Sequence, residues 1–172
     1  MRELLRMYKF NTAASLLVAG AATGNEKYFY WIPAAYSASL ASVAAKYMYK
    51  GLPGWKRPPG ACNCSSFPRW DKGVSAMGMP SGHAWGSAFL ATSAVYHMHR
   101  NKKRKSLMAI PIVAALLIVL SRTTVLGSWS GGGLGESRVA CHTPLQLMAG
   151  VILGIVHAIV FIQVKEIHNI LY

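Results

Sequence analysis

The stretch that decides the fold is SLMAIPIVAALLIVLS, residues Ser106–Ser121, which contains no charged side chain. A helix that crosses the hydrocarbon core of a bilayer needs about 20 mostly apolar residues. The run reaches that length if it continues past Arg122 to Leu126. A helix that is apolar all round has no polar face to turn toward water, so the run predicts a helix that lies in a membrane.

Further runs of the chain have the same character. Tyr28–Tyr49 has Lys46 as its only charge, close to one end, and Thr143–Val164 contains no Lys, Arg, Asp or Glu. Ser81–Met98 is rich in glycine, alanine and serine, the small residues that allow close helix packing in lipid. A weaker run, Asn11–Ala22, is shorter and predicts a short or interfacial membrane helix.

The predicted fold is therefore an all-α integral membrane bundle with four firm helices and one weaker helix. Residues 1–172 suit a single domain, in which 1–27 are an N-terminal segment and 28–164 are the core. Of all residues 53% are hydrophobic and only 13% are charged, about half the share of roughly 25% in soluble proteins. An ordinary soluble enzyme is not expected from this composition.

The net charge of the chain is strongly positive, at +13. A disordered basic segment lacks apolar residues, and a nucleic-acid-binding protein does not normally contain long uncharged runs. We therefore expect a lipid bilayer as a partner and no nucleic acid. Nothing in the sequence indicates the oligomeric state.

The distribution of charge between the runs predicts their orientation. Arg100–Lys105 holds five cations in six residues and connects the second and third firm helices. The long connections Lys50–Pro80 and Gly127–His142 would lie together on the opposite face of the membrane. Because short basic loops stay on the cytoplasmic side, the long loops are predicted to face the lumen, periplasm or exterior.

Most of the remaining polar functional groups lie in or beside these two long loops. Lys50 and Arg57 follow the first firm helix, His83 opens the second and His142 opens the last. A helix N-terminus presents free N–H groups and a positive dipole end, which suits a phosphate group. The planar guanidinium of Arg57 matches phosphoryl oxygens, and Gly82, without a Cβ, lets the backbone approach an anion closely. Two histidines beside such a pocket predict a nucleophile and a proton donor.

These residues resemble the motifs of the type 2 phosphatidic acid phosphatase superfamily, which also includes the vanadium haloperoxidases. The family signature is K-x6-R-P, then P-S-G-H, then S-R-x5-H-x3-D. The first motif is met by Lys50, Arg57 and Pro58, and the second by Pro80–His83. The resemblance covers roughly residues 28–164, and the motifs in this order are far more specific than P-S-G-H alone.

The resemblance implies a helical bundle and a metal-independent phosphohydrolase that uses no cofactor. His142 would be the nucleophile and would pass through a phosphohistidine, and His83 would protonate the leaving oxygen. Neighbouring cations should depress the pKa values of both histidines, which predicts a bell-shaped pH–rate profile. The implied substrate is a lipid phosphate or lipid pyrophosphate whose headgroup enters the pocket at the membrane rim. The residues implied to hold the phosphoryl group are Lys50, Arg57, Ser81, Gly82 and an arginine of the third motif.

The third motif departs from the family pattern in two ways. Gln146 stands where the family has an aspartate, but its amide oxygen can still accept from the far ring nitrogen of His142 and fix the tautomer. Ser137 and Arg138 precede His142 with a spacer of three residues instead of five, whereas Arg122 requires a long insertion. We expect Arg138 to complete the motif, with Arg122 as the alternative.

Several of these residues also suit simpler roles. Thr143, Pro144 and Gln146 match a helix capping box, and Ser81 matches a plain N-cap. The capping and orienting roles of Gln146 can coexist. His157 lies in an apolar run without a partner nearby in sequence, which favours a packing role.

Two other classes of protein compete with the phosphatase hypothesis. A non-catalytic relative that binds lipid headgroups is favoured by Gln146 and by the irregular arginine spacing. A vanadate-dependent haloperoxidase would share the pocket, but the hydrophobic runs disfavour it. Cys62, Cys64 and Cys141 are too few for a disulfide scaffold and leave the redox compartment open.

Overall fold

The structure, a computed structural model, describes residues 27–58, 61, 77–102, 105–123 and 141–171. Within these residues the chain forms no strand, so the all-α prediction is confirmed for this part of the chain. The predicted helix over Asn11–Ala22 lies outside it. The described helices are α1 Lys27–Met48, α2 Gly82–Arg100, α3 Lys105–Leu120 and α4 Pro144–Leu171.

The helices begin and end close to the bounds of the apolar runs. α1, α2 and α3 agree with the prediction to within two residues at each end, and α4 continues seven residues past Val164. α2 begins after Ser81, whose Oγ accepts from the backbone N–H of Ala84 at 3.4 Å as an N-cap. α3 ends at Leu120 and does not continue as a helix through Arg122, which lies in the following turn.

α2 is the central helix and packs against each of the other three. It runs parallel to α4, since Gly150 lies against Ser81 and Gly154 lies against Trp85. A Cβ at Gly154 would collide with the carbonyl oxygen of Trp85 and would come within 3.0 Å of the Cβ of Ala88. The Gly-x-x-x-Gly spacing therefore lets the backbones of α2 and α4 approach closely, as small residues do between membrane helices.

The core lies where α1, α2 and α4 meet. Ala34 and Ala38 of α1 pack there against the aromatic rings of Trp85 and Phe89. His157 of α4 accepts a hydrogen bond from Nε1 of Trp85 at 3.2 Å, and its ring lies 4.8 Å from that of Phe89. The packing role expected for His157 is thus observed, with a partner that is distant in sequence.

The outer surface of the bundle is strongly apolar. α3 contains no buried residue, and it exposes Ile110, Val113 and Leu117. Of the helices that the structure describes, one is long and apolar enough to cross a bilayer, over Pro144–Glu166, and α3 is apolar but shorter. By length and composition, therefore, the described residues contain one candidate span, and spanning by the other three helices stays a prediction.

The two ends of the bundle differ in chemistry. At one end the C-terminus of α1 meets the N-termini of α2 and α4, because Lys46 bonds to Met77 O at 2.8 Å and Ser81 N bonds to Gln146 O at 3.0 Å. At the other end Glu166 pairs with Arg100 and accepts from the hydroxyl of Tyr96. The residues that flank the two long loops therefore lie at one end, and the basic connection begins at the other.

Candidate anion-binding site

A short pairing of two loop segments forms the floor of the site. Trp55 O accepts from the backbone N–H groups of Gly78 at 2.7 Å and Met79 at 3.1 Å. Lys56 and Met77 form an isolated antiparallel bridge. This pairing brings the K-x6-R-P segment beside the residues that lead into α2.

Gln146 lies on this floor, is fully buried and has every polar atom of its side chain engaged. Its Nε2 donates to Gly54 O at 2.8 Å and to Lys56 O at 2.6 Å. Its Oε1 accepts from Thr143 N at 3.2 Å, and its backbone N donates to Thr143 Oγ1 at 3.3 Å, the reciprocal bonds of a capping box. Because both N–H donors face carbonyl oxygens, the orientation of the amide is fixed.

The orientation of Gln146 fixes the tautomer of His142. Nδ1 of His142 lies 3.3 Å from Oε1 of Gln146, which can only accept. Nδ1 therefore carries the proton, and the lone pair of the neutral ring is on Nε2. The guanidinium of Arg57 donates to that Nε2 at 3.1 Å and also to Cys141 O at 2.9 Å.

Burial and positive charge keep His142 neutral. Only 2% of the residue is exposed. Desolvation is the largest of the causes that lower its pKa to about 2, followed by the charges of Arg57, Lys46 and Arg122; the hydrogen bond that Nδ1–H donates to Gln146 acts in the opposite direction. The imidazole ring is therefore neutral, with Nε2 unprotonated, at every physiological pH. Burial, and then the charge of Arg122, lower the pKa of Arg57 to about 10, which still leaves this guanidinium protonated.

Arg122 belongs to the same cluster. Its charge acts on both Arg57 and His142, and burial lowers its own pKa. Its Nε is buried and has no hydrogen-bond partner among the described residues. Arg138, which was the preferred arginine of the third motif, lies outside the described residues. The structure thus brings the alternative arginine to the site without testing the preferred one.

The other predicted site residues lie around the same end of the bundle. Ser81 is buried as the N-cap of α2, and Gly82 and His83 form the first turn of that helix, each half-buried. Lys50, in contrast, is exposed in the turn after α1. In the structure His142 is therefore in direct contact with both Arg57 and Gln146, whereas Lys50 is exposed to solvent.

Two residues of the site were not predicted from the sequence. Lys46 is buried and its charge lowers the pKa of His142, and its only sequence signal is that it interrupts an apolar run. Gly78 lies against Gln146, since a Cβ there would come within 2.5 Å of both Nε2 and Oε1 of that side chain. No local pattern marks Gly78, because its role arises from a partner far along the chain.

Cys141 precedes His142 and forms a disulfide. The other cysteines of the chain, Cys62 and Cys64, lie outside the described residues. A disulfide is typical of proteins in an oxidising compartment, which bears on the compartment that the sequence left open.

Comparison with known proteins adds nothing to this description. No protein-family model, curated protein or solved structure matches the chain. The functional argument therefore depends on the motif residues and on the contacts they make here.

Proposed function

We propose that the chain is a membrane-embedded, metal-independent phosphatase of lipid phosphates or lipid pyrophosphates that works through a phosphohistidine. The observation that carries the proposal is the neutral His142 ring, which has Nδ1 on Gln146 and the Nε2 lone pair facing a buried guanidinium. A nucleophilic histidine needs this tautomer, and a phosphoryl group needs the cations around it. Both requirements are met in one cluster.

The proposed reaction has two displacements at phosphorus. The Nε2 lone pair of His142 forms a bond to phosphorus as the bond to the leaving oxygen breaks, and His83 gives its proton to that oxygen. A water molecule then attacks the phosphohistidine, His83 takes the proton of the water, and inorganic phosphate leaves as the N–P bond breaks. Gln146 stabilises the intermediate because its oxygen accepts from Nδ1–H, which becomes more positive.

Arg57 has to change partner during this reaction. Its guanidinium donates to Nε2 of His142, the atom that would attack phosphorus. Phosphoryl oxygens are stronger acceptors for a guanidinium than a neutral ring nitrogen is, so substrate binding would draw the donor away. The other proposed phosphate ligands are Ser81, Gly82, Lys50 and the arginine of the third motif.

The neutral state of His142 modifies the expected pH dependence. With its pKa near 2, ionisation of His142 in the free protein cannot produce an acid limb at ordinary pH. An acid limb would then come from the second ionisation of the substrate phosphate, near pH 6. The alkaline limb would report deprotonation of His83.

The surface of the bundle supports a location in the membrane. α3 and α4 expose rows of large apolar side chains, far more than the isolated ones that a soluble protein shows. The site lies at one end of the helices, where a headgroup in water and a tail in hydrocarbon meet. We infer that α1, α2 and α3 also span the bilayer beside α4, as a multi-pass bundle.

Two features support a site on the non-cytoplasmic face. The disulfide of Cys141 is typical of an oxidising compartment, and it lies at this end of the bundle. Arg100 and Lys102 lie at the opposite end, where a basic connection would stay on the cytoplasmic side.

A non-catalytic headgroup-binding protein is the second candidate. It is favoured by the hydrogen bond from Arg57 to Nε2 of His142, which occupies the lone pair that a nucleophile would use. Such a protein would bind phosphate groups in the same cluster without turnover.

The deciding experiment measures phosphate release by the purified chain. Phosphatidic acid, phosphatidylglycerophosphate and prenyl diphosphates serve as substrates, and the denatured protein is tested for an acid-labile, base-stable phosphoryl group. His142→Ala should abolish both signals, and His99→Ala, an exposed histidine at the other end of the bundle, should leave them unchanged. Unchanged turnover in His142→Ala would contradict the nucleophile, whereas binding without turnover in the wild type would support the second candidate.

A further inference from the structure

Lys46 is a buried lysine in a helix that is otherwise apolar. It is the only charged residue of the run Tyr28–Tyr49, and 6% of its surface is exposed. Burial of an ammonium group is costly unless polar partners compensate for the lost water. A charge retained in such a position inside a membrane helix usually serves a function.

The hydrogen bond of Lys46 reaches the floor of the site. Its Nζ donates to Met77 O at 2.8 Å. Met77 is bridged to Lys56, and the next residue, Gly78, lies against the amide of Gln146. Lys46 therefore holds the segment that keeps Gln146, and through it the tautomer of His142, in place.

The charge of Lys46 acts on His142 from a buried position, whereas Lys50 is exposed. Lys46 is one of the three cations that act on His142, together with Arg57 and Arg122. Lys50 is exposed after the end of α1 and is not among them. The lysine of the K-x6-R-P motif is thus present in the sequence, but the buried lysine lies one helical turn earlier.

We propose that Lys46, rather than Lys50, supplies the lysine charge of the phosphate-binding pocket, and that it positions the segment Met77–Gly78 under Gln146. The first part of this inference, that Lys46 supplies charge to the phosphate pocket (the binding half), rests on the proposed function. The second part, that Lys46 positions Met77–Gly78 (the positioning half), does not. An ammonium group has three N–H donors, so its bond to Met77 is compatible with a second acceptor. Lys46 acts on His142 through the electric field of its charge and through the position of Gln146, and it is not itself the nucleophile.

The binding half is tested with orthovanadate, a phosphate analogue, by calorimetry on the purified full-length chain. Lys46→Met should weaken binding by about tenfold or more, the loss expected for one charge-assisted hydrogen bond. Lys50→Met should weaken it less than Lys46→Met does. Lys105→Met is the matched control, since this lysine is exposed at the start of α3, and it should leave the affinity within about twofold.

The positioning half is tested by the ¹⁵N chemical shifts of His142 in the vanadate-free protein near neutral pH, which report the tautomer of the neutral ring. Lys46→Met removes the donor to Met77 O, so Gln146 should no longer hold the ring in the Nδ1–H form alone, and the Nε2–H form should appear. Lys46→Arg keeps a donor and should preserve the Nδ1–H form. A lysine that acted on His142 through its charge alone would leave the tautomer unchanged.

The outcomes separate this inference from the proposed function. If the wild type binds vanadate and Lys50→Met weakens binding as much as Lys46→Met, the binding half is wrong. If Lys46→Met leaves the tautomer of His142 unchanged, the positioning half is wrong, whether or not vanadate binds. A wild type that neither binds vanadate nor releases phosphate contradicts the proposed function and the binding half together. If Lys46→Met does not fold, the ¹⁵Nζ chemical shift of Lys46 is measured in the wild type instead. If that signal does not move when vanadate is added, the binding half is wrong.

Discussion

Oε1 of Gln146 lies 3.3 Å from Nδ1 of His142, in a side-chain amide whose nitrogen is held by two backbone carbonyls. The carbonyls, those of Gly54 and Lys56, require donors, and an amide supplies both while its oxygen stays available to the imidazole. A carboxylate would have no donor for them at neutral pH. The pairing of two loop segments therefore favours a glutamine over an acid at this position.

The first prediction concerns Gln146→Glu. A carboxylate there would face two carbonyl oxygens and leave both without their donor, at a cost of about 1–3 kcal/mol for each buried unpaired group. We expect the free energy of unfolding to fall by at least about 2 kcal/mol, although the new charge favours protonation of His142. Thermal unfolding in detergent measures the change.

Gln163→Glu is the control, because Gln163 is exposed on α4 and the chemical change is the same. Its effect should stay within about 0.5 kcal/mol, as for most surface substitutions. An equal loss in both variants would show that the carbonyls of the floor do not select the amide.

The second prediction concerns the pH dependence of stability. The pKa of His142 is near 2 in the folded chain and near its ordinary value of 6.5 after unfolding, so below pH 6.5 the unfolded state binds one proton more. Stability is therefore lost as pH falls, by about 2 kcal/mol between pH 7.5 and pH 5 from this group alone. His142→Asn should remove this part of the slope, measured from unfolding in detergent at several pH values.

His99→Asn should keep the slope, because that histidine is exposed at the other end of the bundle. A slope that is the same in wild type and His142→Asn would mean that His142 titrates normally in the folded chain. The burial and the cation cluster described for it would then be incorrect.

The third prediction concerns Gly78→Ala. The new Cβ would lie 2.5 Å from the amide atoms of Gln146, which four hydrogen bonds hold in place. We expect displacement of the amide, a loss of about 1–3 kcal/mol in stability from overpacking, and a fall in turnover. Both are measured on the purified chain.

A double-mutant cycle identifies the cause of the Gly78→Ala effect. In a Gln146→Ala background the clash is absent, so Gly78→Ala should cost much less than in the wild type. Equal costs in the two backgrounds would trace the effect to the backbone of Gly78 instead of to its contact with Gln146.

Local patterns were sufficient to predict the helices and their caps. Apolar runs bounded by polar loops placed α1 to α3 within two residues. The spacing of Thr143 and Gln146 predicted a capping box, and the capping box forms. These features are short-range, since each depends on residues within one or two helical turns.

The inward-facing charges could not be predicted in the same way. Lys46 and Lys50 flank the same helix end, and which of them is buried depends on where α1 stops and how it is rotated against α2. Gly78 and the carbonyls of Gly54 and Lys56 act on Gln146 through contacts across long stretches of chain. A motif specifies which residue types are required, but where two residues of one type lie close in sequence, only the packing of the helices determines which of them reaches the site.

The last prediction concerns the contact between α2 and α4. At Gly154 a Cβ would collide with the carbonyl oxygen of Trp85, a backbone atom that cannot turn aside as a side chain can. Gly154→Ala should therefore separate the two helices and lower the free energy of unfolding by about 1–3 kcal/mol, despite the better helix propensity of alanine. Separation would also strain the bond of 3.0 Å from Ser81 N to Gln146 O, so turnover should fall with stability. Gly86→Ala on α2 meets no atom within 4 Å and should gain up to about 1 kcal/mol from propensity alone. If the two alanine variants unfold at the same temperature in detergent, the close approach of α2 and α4 is not what holds the site together.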